Sequence, residues 1–407
     1  MGRWDLALLW SPCPFVVVSN PEETEKLQDK IYDFKILEQE SCQVINNMQK
    51  LCVMSDMDVE IRTDSKDTEM DASGWVTLDE LGIPKPNYNL AVGSGSHAKM
   101  TAAMLEGIEV LLQSEQPDAV VVYGDTNSTI AGALAAAKIH IPVVHIEAGL
   151  RSFNKAMPEE LNRISCDHMS TLLFVPTQAG LDNLQNEGFH LANDKKASID
   201  APNVYHCGDV MYDNSLHFSA ISDQKSEILQ KLGLEAGSFI LCTIHRDSNT
   251  DDPQALGQIF EALLEIIARS GKPIVLPIHP RTKNKMQQLL PEVLLQRIEL
   301  EEKLQLIEPA GFLDIIALEK NAQLLITDSG GLQKEAYFFK KPCIILREQT
   351  EWIEIVEAGA ALLTGANHDK ILAAYEHFAN GYNCSYPQLF GNGRAAHFIC
   401  EKIISDL

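Results

Sequence analysis

Residues 117–149 read PDAVVVYGDTNSTIAGALAAAKIHIPVVHIEAG, and this stretch decides the fold. Its opening, AVVVY, is an unbroken apolar run, the pattern of a parallel strand buried on both faces. The run stops at Gly124-Asp125. TNSTIAGALAAAKIH follows as a helix of small residues, and IPVVHIEAG is a second strand. The three together predict one β-α-β unit with a right-handed crossover.

Outward from this unit the alternation continues. TLLFVPT (171–177) is the next strand. Farther on come SFILCTIHR (strand), DPQALGQIFEALLEIIARSG (helix), KPIVLPIHP (strand) and DIIALEKNA (helix). QLLITDSGG (strand), GLQKEAYFFKK (helix) and PCIILRE (strand) complete the series. Two doubly wound, Rossmann-like α/β domains in tandem are the most economical fold. The expected divisions are an atypical segment 1–78, a partial first domain 79–195 and a second domain 196–385. A hinge is expected in the polar stretch near 190–207. A last amphipathic helix within 386–407 is expected to pack back across the domains. In 1–78 the α/β rhythm is absent: residues 20–51 suit a charged helix, and 56–74 are acidic and turn-rich.

Composition bounds the function. The 407 residues are 45% hydrophobic and 22% charged, enough for two domains of common size. A net charge of −24 with no basic stripe argues against nucleic acid, so an anionic ligand must be held by local donors. The nine cysteines (13, 42, 52, 166, 207, 242, 343, 384 and 400) are scattered without a C-x-x-C pair, which reads as reduced thiols and a cytoplasmic location. No apolar run approaches the ~18 residues of a membrane span. LALLWSPCPFVVV (6–18) is broken by two prolines and is weak as a signal peptide.

Polar residues gather where the predicted strands end, which is where open α/β sheets bind ligands. Asp125, Glu147, His245-Arg246, His279 with Arg281, and Asp328-Ser329-Gly330-Gly331 all stand at such ends. The tandem arrangement points both sets at one interdomain cleft. Each has a plainer reading: Asp125 as a helix cap, His245 as a satisfied loop histidine, and TDSGGLQKE (327–335) as a Gly turn capped by Asp328 or Ser329. Equally, that turn suits a diphosphate, because glycine amides at a helix N-terminus approach an anion closely. Glu335, one turn on, is placed to accept from ribose hydroxyls. In MPEELNR (157–163), Pro158 and two glutamates favour a helix start, and Glu159 and Arg163 share a face. The plain reading there is a salt-bridged surface helix. GSGSH (93–97) is weak as a phosphate loop.

In order, GDTNST, HIEAGLRS, MPEELNR, TIHR, PIHPR and TDSGGLQKEA resemble the bacterial non-hydrolysing UDP-N-acetylglucosamine 2-epimerases, from about residue 79 to the C-terminus. The resemblance implies a fold like the GT-B glycosyltransferases, with the active site in the cleft. It implies that Asp125, Glu147, Glu159 and His245 are catalytic. It places Arg163, Ser329, Gly330, Gly331 and Glu335 on the UDP-sugar. The implied reaction eliminates UDP as a carboxylate removes the C2 proton, then adds UDP back after protonation from the opposite face, for surface-polysaccharide synthesis. No metal or cofactor is expected, and no His/Cys/Asp cluster has metal-ligand spacing. A homodimer is expected.

Two departures are visible. The family's opening Arg-Pro turn and its Gly-Gln-His strand end have no counterpart in 1–78, and Trp352 in LREQTEWIE stands where many family members carry arginine. Four other readings therefore stand beside the first. They are an epimerase of UDP-2,3-diacetamido uronic acid, a hydrolysing epimerase, a UDP-sugar-binding protein without catalysis, and a glycosyltransferase. The last would not need the acids at 125, 147 and 159 together.

Overall fold

The computed structural model describes residues 51–54 (backbone only), 88–93, 95–192, 196–379 and 384–407. The charged helix expected over 20–51 and the acidic turns of 56–74 lie outside them. Two all-parallel sheets organise the described chain. The first holds β1 (Leu51–Met54), β2 (Ala119–Tyr123), β3 (Val143–Ile146), β4 (Leu172–Val175) and β5 (Asn203–His206), side by side in chain order. Helices α1 (His97–Glu115), α2 (Asn127–Lys138), α3 (Pro158–Met169) and α4 (Gln178–Asn186) connect its strands.

The small-residue helix explains the packing of this sheet. Ala131, Ala133, Ala135 and Ala136 of α2 are all fully buried, in one cluster with Val120, Val122 and Val143. Alanine lets the helix lie close to the strands. Met104, Ile108 and Leu112, four apart on α1, form the stripe that covers the same cluster.

The second sheet holds β6 (Ile240–Thr243), β7 (Ile274–Pro277), β8 (Leu304–Ile307), β9 (Leu324–Thr327), β10 (Cys343–Ile345) and β11 (Ala361–Leu363). Their order is β11-β10-β9-β6-β7-β8, so the winding reverses between β6 and β9. Crevices at such reversals are the usual ligand sites of open sheets. The second unit's named helices are α5 (Val210–Lys225), α6 (Pro253–Ser270), α7 (Pro280–Leu289), α8 (Phe312–Asn321), α9 (Gly330–Phe338) and α10 (His368–Ala379); α11 (Ala395–Asp406) closes the chain. Helix α6 shows how local signals and core agree. Asp252 caps it by accepting from the Gln254 and Ala255 amides, Pro253 begins it, and Gly271 ends it at φ 67°. Its Leu256, Ile259, Phe260 and Leu263 are completely buried against the sheet.

Two expectations need correction. Residues 1–78 were expected to lack the α/β rhythm, yet Leu51–Met54 pairs in parallel with β2, Leu51 opposite Ala119. The four-residue LCVM run is too short to stand out beside its acidic neighbours. The 190–207 hinge, with its division at 195/196, contains β5, which pairs with β4 and so belongs to the first sheet. The first unit therefore extends through His206. The crossing follows at Gly208, whose φ of 82° brings its backbone against Gly391. A Cβ on Gly208 would stand 2.9 Å from the Phe390 carbonyl oxygen. Both passages of chain between the units thus touch at a pair of glycines. Beyond Gly391, α11 returns to the first sheet, where Ile399 and Ile403 pack with Val121, Val144 and Phe174. Asp406 accepts there from Asn203 (2.6 Å) and from the Tyr205 hydroxyl.

Candidate active site

On the first unit, Asp125 ends the turn after β2. Thr126, not Asp125, caps α2, in a reciprocal pair with Thr129. Asp125 is therefore free to face Arg163, whose Nη2 donates to it. Burial pushes the Asp125 carboxyl up from its ordinary range; Arg163 opposes this, while Glu159 adds to it. Glu159 thus stands close to Asp125, half-buried in the first turn of α3. Glu147 follows β3 in a left-handed conformation, φ 69°. That backbone is costly for a residue with a Cβ and persists only where the surroundings enforce it. Burial raises the Glu147 pKa, Lys334 opposes it, and Asp209 and Asp125 raise it further.

The expected Glu159–Arg163 pair is not formed. Glu160 takes that place, accepting from Arg163 Nη1 at 3.1 Å. It also accepts from the backbone N–H groups of Ser152 (2.8 Å) and Phe153 (3.0 Å). Four residues apart share a helix face, but the neighbouring elements decided which carboxylate turned inward. Behind this wall Asp167, fully buried, accepts from His145 Nδ1 (2.7 Å), the Gly149 amide (3.2 Å) and Arg151 Nη2 (2.7 Å).

On the second unit, His245 and Asp328 stand at the reversal between β6 and β9. His245 Nδ1 lies 3.0 Å from Asp328 Oδ1, and its buried Nε2 has no partner among the described residues. Burial would raise Asp328, but His245, Asn249 and the Arg246 amide hold it below the ordinary carboxylate range. Ser329 is the cap of α9, accepting from the Leu332 amide. Its own N–H is already held by Thr327 Oγ1 at 2.9 Å, so the amides left for an anion are those of Gly330 and Gly331. Glu335 is buried with one oxygen unpartnered among the described residues, and burial pushes it to about 8, against Lys334 and with Asp209. His279 caps α7 by accepting from the Arg281 amide, and Arg281 pairs with Asp247 and Asp251 at the surface.

Arg246, Arg347 and Glu351 surround Gly330. A Cβ there would meet Glu351 Oε1 at 3.3 Å, Arg347 Nη1 at 3.7 Å and Arg246 Nη2 at 3.9 Å. Arg246 Nε and Arg347 Nη1 are buried without partners among the described residues. Two guanidiniums with such donors beside helix-start amides can hold an anion. Along the chain Arg246 stands at a strand end without an evident role, and Arg347 and Glu351 do not stand out. Their signal was only a shared position just beyond strand ends.

The two units meet through Lys334 of α9. Its Nζ lies 3.1 Å from Glu147 Oε1 and 2.9 Å from Asp209 Oδ2, and 4.2 Å from the centre of the Trp352 ring. Nothing in the sequence flagged Lys334, because lysine on a helix is ordinarily solvated. Carboxylates from the first unit and cationic donors from the second therefore share one cleft. Such a cleft can bind a phosphorylated ligand and move protons beside it. Among the described residues no group of three or more His, Cys, Asp or Glu side chains is placed to hold a metal ion. No helix there is long and apolar enough to cross a membrane.

A profile of the UDP-N-acetylglucosamine 2-epimerase family matches residues 60–404, starting ahead of the resemblance seen from about 79. A "UDP-N-acetylglucosamine 2-epimerase homolog" of Methanococcus maripaludis is 45% identical over 338 residues, 83% of this chain and 88% of that protein. The UDP-2,3-diacetamido-2,3-dideoxy-D-glucuronate 2-epimerase of Pseudomonas aeruginosa is 45% identical over 328 residues, 81% of this chain and 86% of its own. The crystal structure of Methanocaldococcus jannaschii UDP-GlcNAc 2-epimerase in complex with UDP-GlcNAc and UDP superposes with a TM-score of 0.68 at 40% identity, over 81% of this chain and 86% of that one.

Proposed function

The chain belongs to the UDP-N-acetylglucosamine 2-epimerase family, with that family's two-unit, GT-B-like fold, and from this we propose that it interconverts UDP-GlcNAc and UDP-ManNAc without hydrolysis. The observation that carries the reading is the cleft itself: three carboxylates on one wall face an anion site on the other. UDP is held with its diphosphate at the Gly330 and Gly331 amides, Arg246, Arg347 and His245 Nε2, in competition with Glu351. Arg163 orients Asp125, and Glu335 takes the ribose. A carboxylate, Glu147 in this scheme, removes the C2 proton while the C1–O bond breaks toward UDP, leaving a C1–C2 double bond. Asp125 or Glu159 delivers a proton to the other face of C2, and the UDP oxygen re-forms its bond at C1. Two faces need distinct proton carriers, which accounts for several acids around one ring. Retention of UDP in the cleft distinguishes this course from hydrolysis.

The test is NMR of UDP-GlcNAc with the protein in D2O. Deuterium at C2 with UDP-ManNAc appearing is expected. Free ManNAc would establish hydrolysis instead, and UDP binding without exchange would remove catalysis. One observation favours a second substrate: the P. aeruginosa relative named for the diacetamido glucuronate is as similar as any quoted above. The same assay with that UDP-sugar decides between them by the ratio of kcat/KM.

The anion site makes its own prediction. Gly330→Ala puts a methyl group among Arg246, Arg347 and Glu351. UDP affinity should fall about tenfold, with the thermal midpoint little changed, by calorimetry. Unchanged affinity would move the diphosphate elsewhere. The functional unit is proposed to be a cytoplasmic homodimer. Cys166, Cys207, Cys242, Cys343, Cys384 and Cys400 are free thiols, which suits a reducing compartment. Sedimentation equilibrium tests the dimer.

A further inference from the structure

The acids of the cleft are explained by proton transfer, and the arginines by the diphosphate. Lys334 is explained by neither. It is 3% exposed, a rarity for lysine, and it stands where the two units touch. Three directions around its ammonium are taken: Glu147 Oε1 at 3.1 Å, Asp209 Oδ2 at 2.9 Å and the face of Trp352 at 4.2 Å. Asp209 is itself fixed, because its Oδ1 caps α5 by accepting from the Met211 amide at 2.8 Å. Trp352 is fixed too, buried against Phe390. The ammonium is therefore a rigid point. Glu147, by contrast, hangs from a left-handed backbone, and among the described residues Lys334 is the one hydrogen-bond donor to its carboxylate.

We propose that Lys334 is a positioning residue for proton transfer. It fixes where the Glu147 carboxylate stands, keeps it in the form that accepts a proton, and ties both to the meeting of the two units. The proposal rests on the epimerase reading, in which Glu147 accepts the C2 proton. The charged groups around the pair are few. Asp209 and Asp125 press on Glu147, Arg163 lies near enough to feel it, and Glu335, the next residue on α9, faces Lys334 and Asp209. Lys334 opposes the two acids directly. Without it, burial and two neighbouring carboxylates would all favour the protonated Glu147, which cannot act as a base.

Opposite substitutions test this. Lys334→Met removes the charge at similar length. It should lower kcat at neutral pH about 100-fold and move the acid limb of the kcat–pH profile upward, with KM changed little. Asp209→Asn keeps a good helix cap and leaves Lys334 to Glu147 alone, so the acid limb should move downward. Asp209→Asn also lifts the direct pressure of Asp209 on Glu147, so the discriminating limb is that of Lys334→Met, which a merely structural lysine leaves where it is in the wild type. Both variants are scored by C2 deuterium exchange across pH. If Lys334→Met does not fold, Lys334→Gln, which is of similar length, keeps a donor and lacks the charge, is scored in its place, with the same upward shift expected. Wild-type exchange with the acid limb of the Lys334 variant unmoved, or moved downward, overturns the proposal alone. No exchange by the wild type with either UDP-sugar overturns the epimerase reading, and this inference with it.

Discussion

Replacing Glu147 by glutamine is expected to slow C2 exchange by about 10³-fold, within the usual range for removing a general acid or base. Glutamine keeps the shape and can still accept from Lys334, but it cannot take a proton. Lys334 retains Asp209 at 2.9 Å, so the contact between the units survives. The donors proposed for the diphosphate lie on the other unit, so UDP affinity should stay within about threefold. The pairing of lost exchange with kept affinity is what matters, and single-turnover exchange beside calorimetric UDP titration measures both. Exchange within about tenfold of wild type would take Glu147 out of the proton path and leave Asp125 and Glu159 as the carriers.

The second large effect is on stability. Asp167→Ala should cost about 3–5 kcal/mol, the range for breaking a buried ion pair from one side. Asp167 is completely buried, and three donors from one short stretch converge on it: His145, the Gly149 amide and Arg151. Alanine leaves His145 Nδ1 and the Gly149 amide without that acceptor, while Arg151 keeps Glu187 at 2.6 Å and the Leu150 carbonyl oxygen at 2.6 Å. That stretch carries Glu147, so the loss should loosen the acid wall as well as the fold. A fall in thermal midpoint of about 10 °C is expected, scaled from domains of similar size. The pH dependence follows from the direction of the shift. Burial would raise Asp167, but His145 and Arg151 more than offset it, so its folded pKa lies below the ordinary 3.8. The unfolded chain therefore binds more protons, and the stabilisation is full above that value and lost as pH falls through the lower folded pKa. Acid denaturation of Asp167→Ala should be shallower below pH ~4 than that of the wild type. A midpoint within a degree or two of wild type would refute the role of Asp167 as the anchor of this wall.

Much of the fold could be read from local pattern. Buried strands must be apolar throughout, and helices that cover them must carry a stripe, so Ala119–Tyr123 and the spacing of Met104, Ile108 and Leu112 declared themselves. Asp125, Glu147, His245 and the Ser329–Gly331 turn could be placed at strand ends for the same reason. β1 was missed because four residues hold too little pattern. The domain division was misplaced because the polar edge strand β5 resembles a linker: Asn203, Tyr205 and His206 show no burial signal of their own.

What the sequence by itself determined is the parallel α/β architecture, the ends of its strands and the family to which the chain belongs. What only the tertiary structure decided is which charges meet. Arg163 chose Glu160 and Asp125 over Glu159, and Asp125 lies 38 positions away. Lys334 reached Glu147 across 187 residues. Periodicity records which face of an element is buried, because burial is a property of neighbours along the chain. An ion pair in a cleft is set by where two units of the fold come to rest against each other, and no spacing along the chain encodes that.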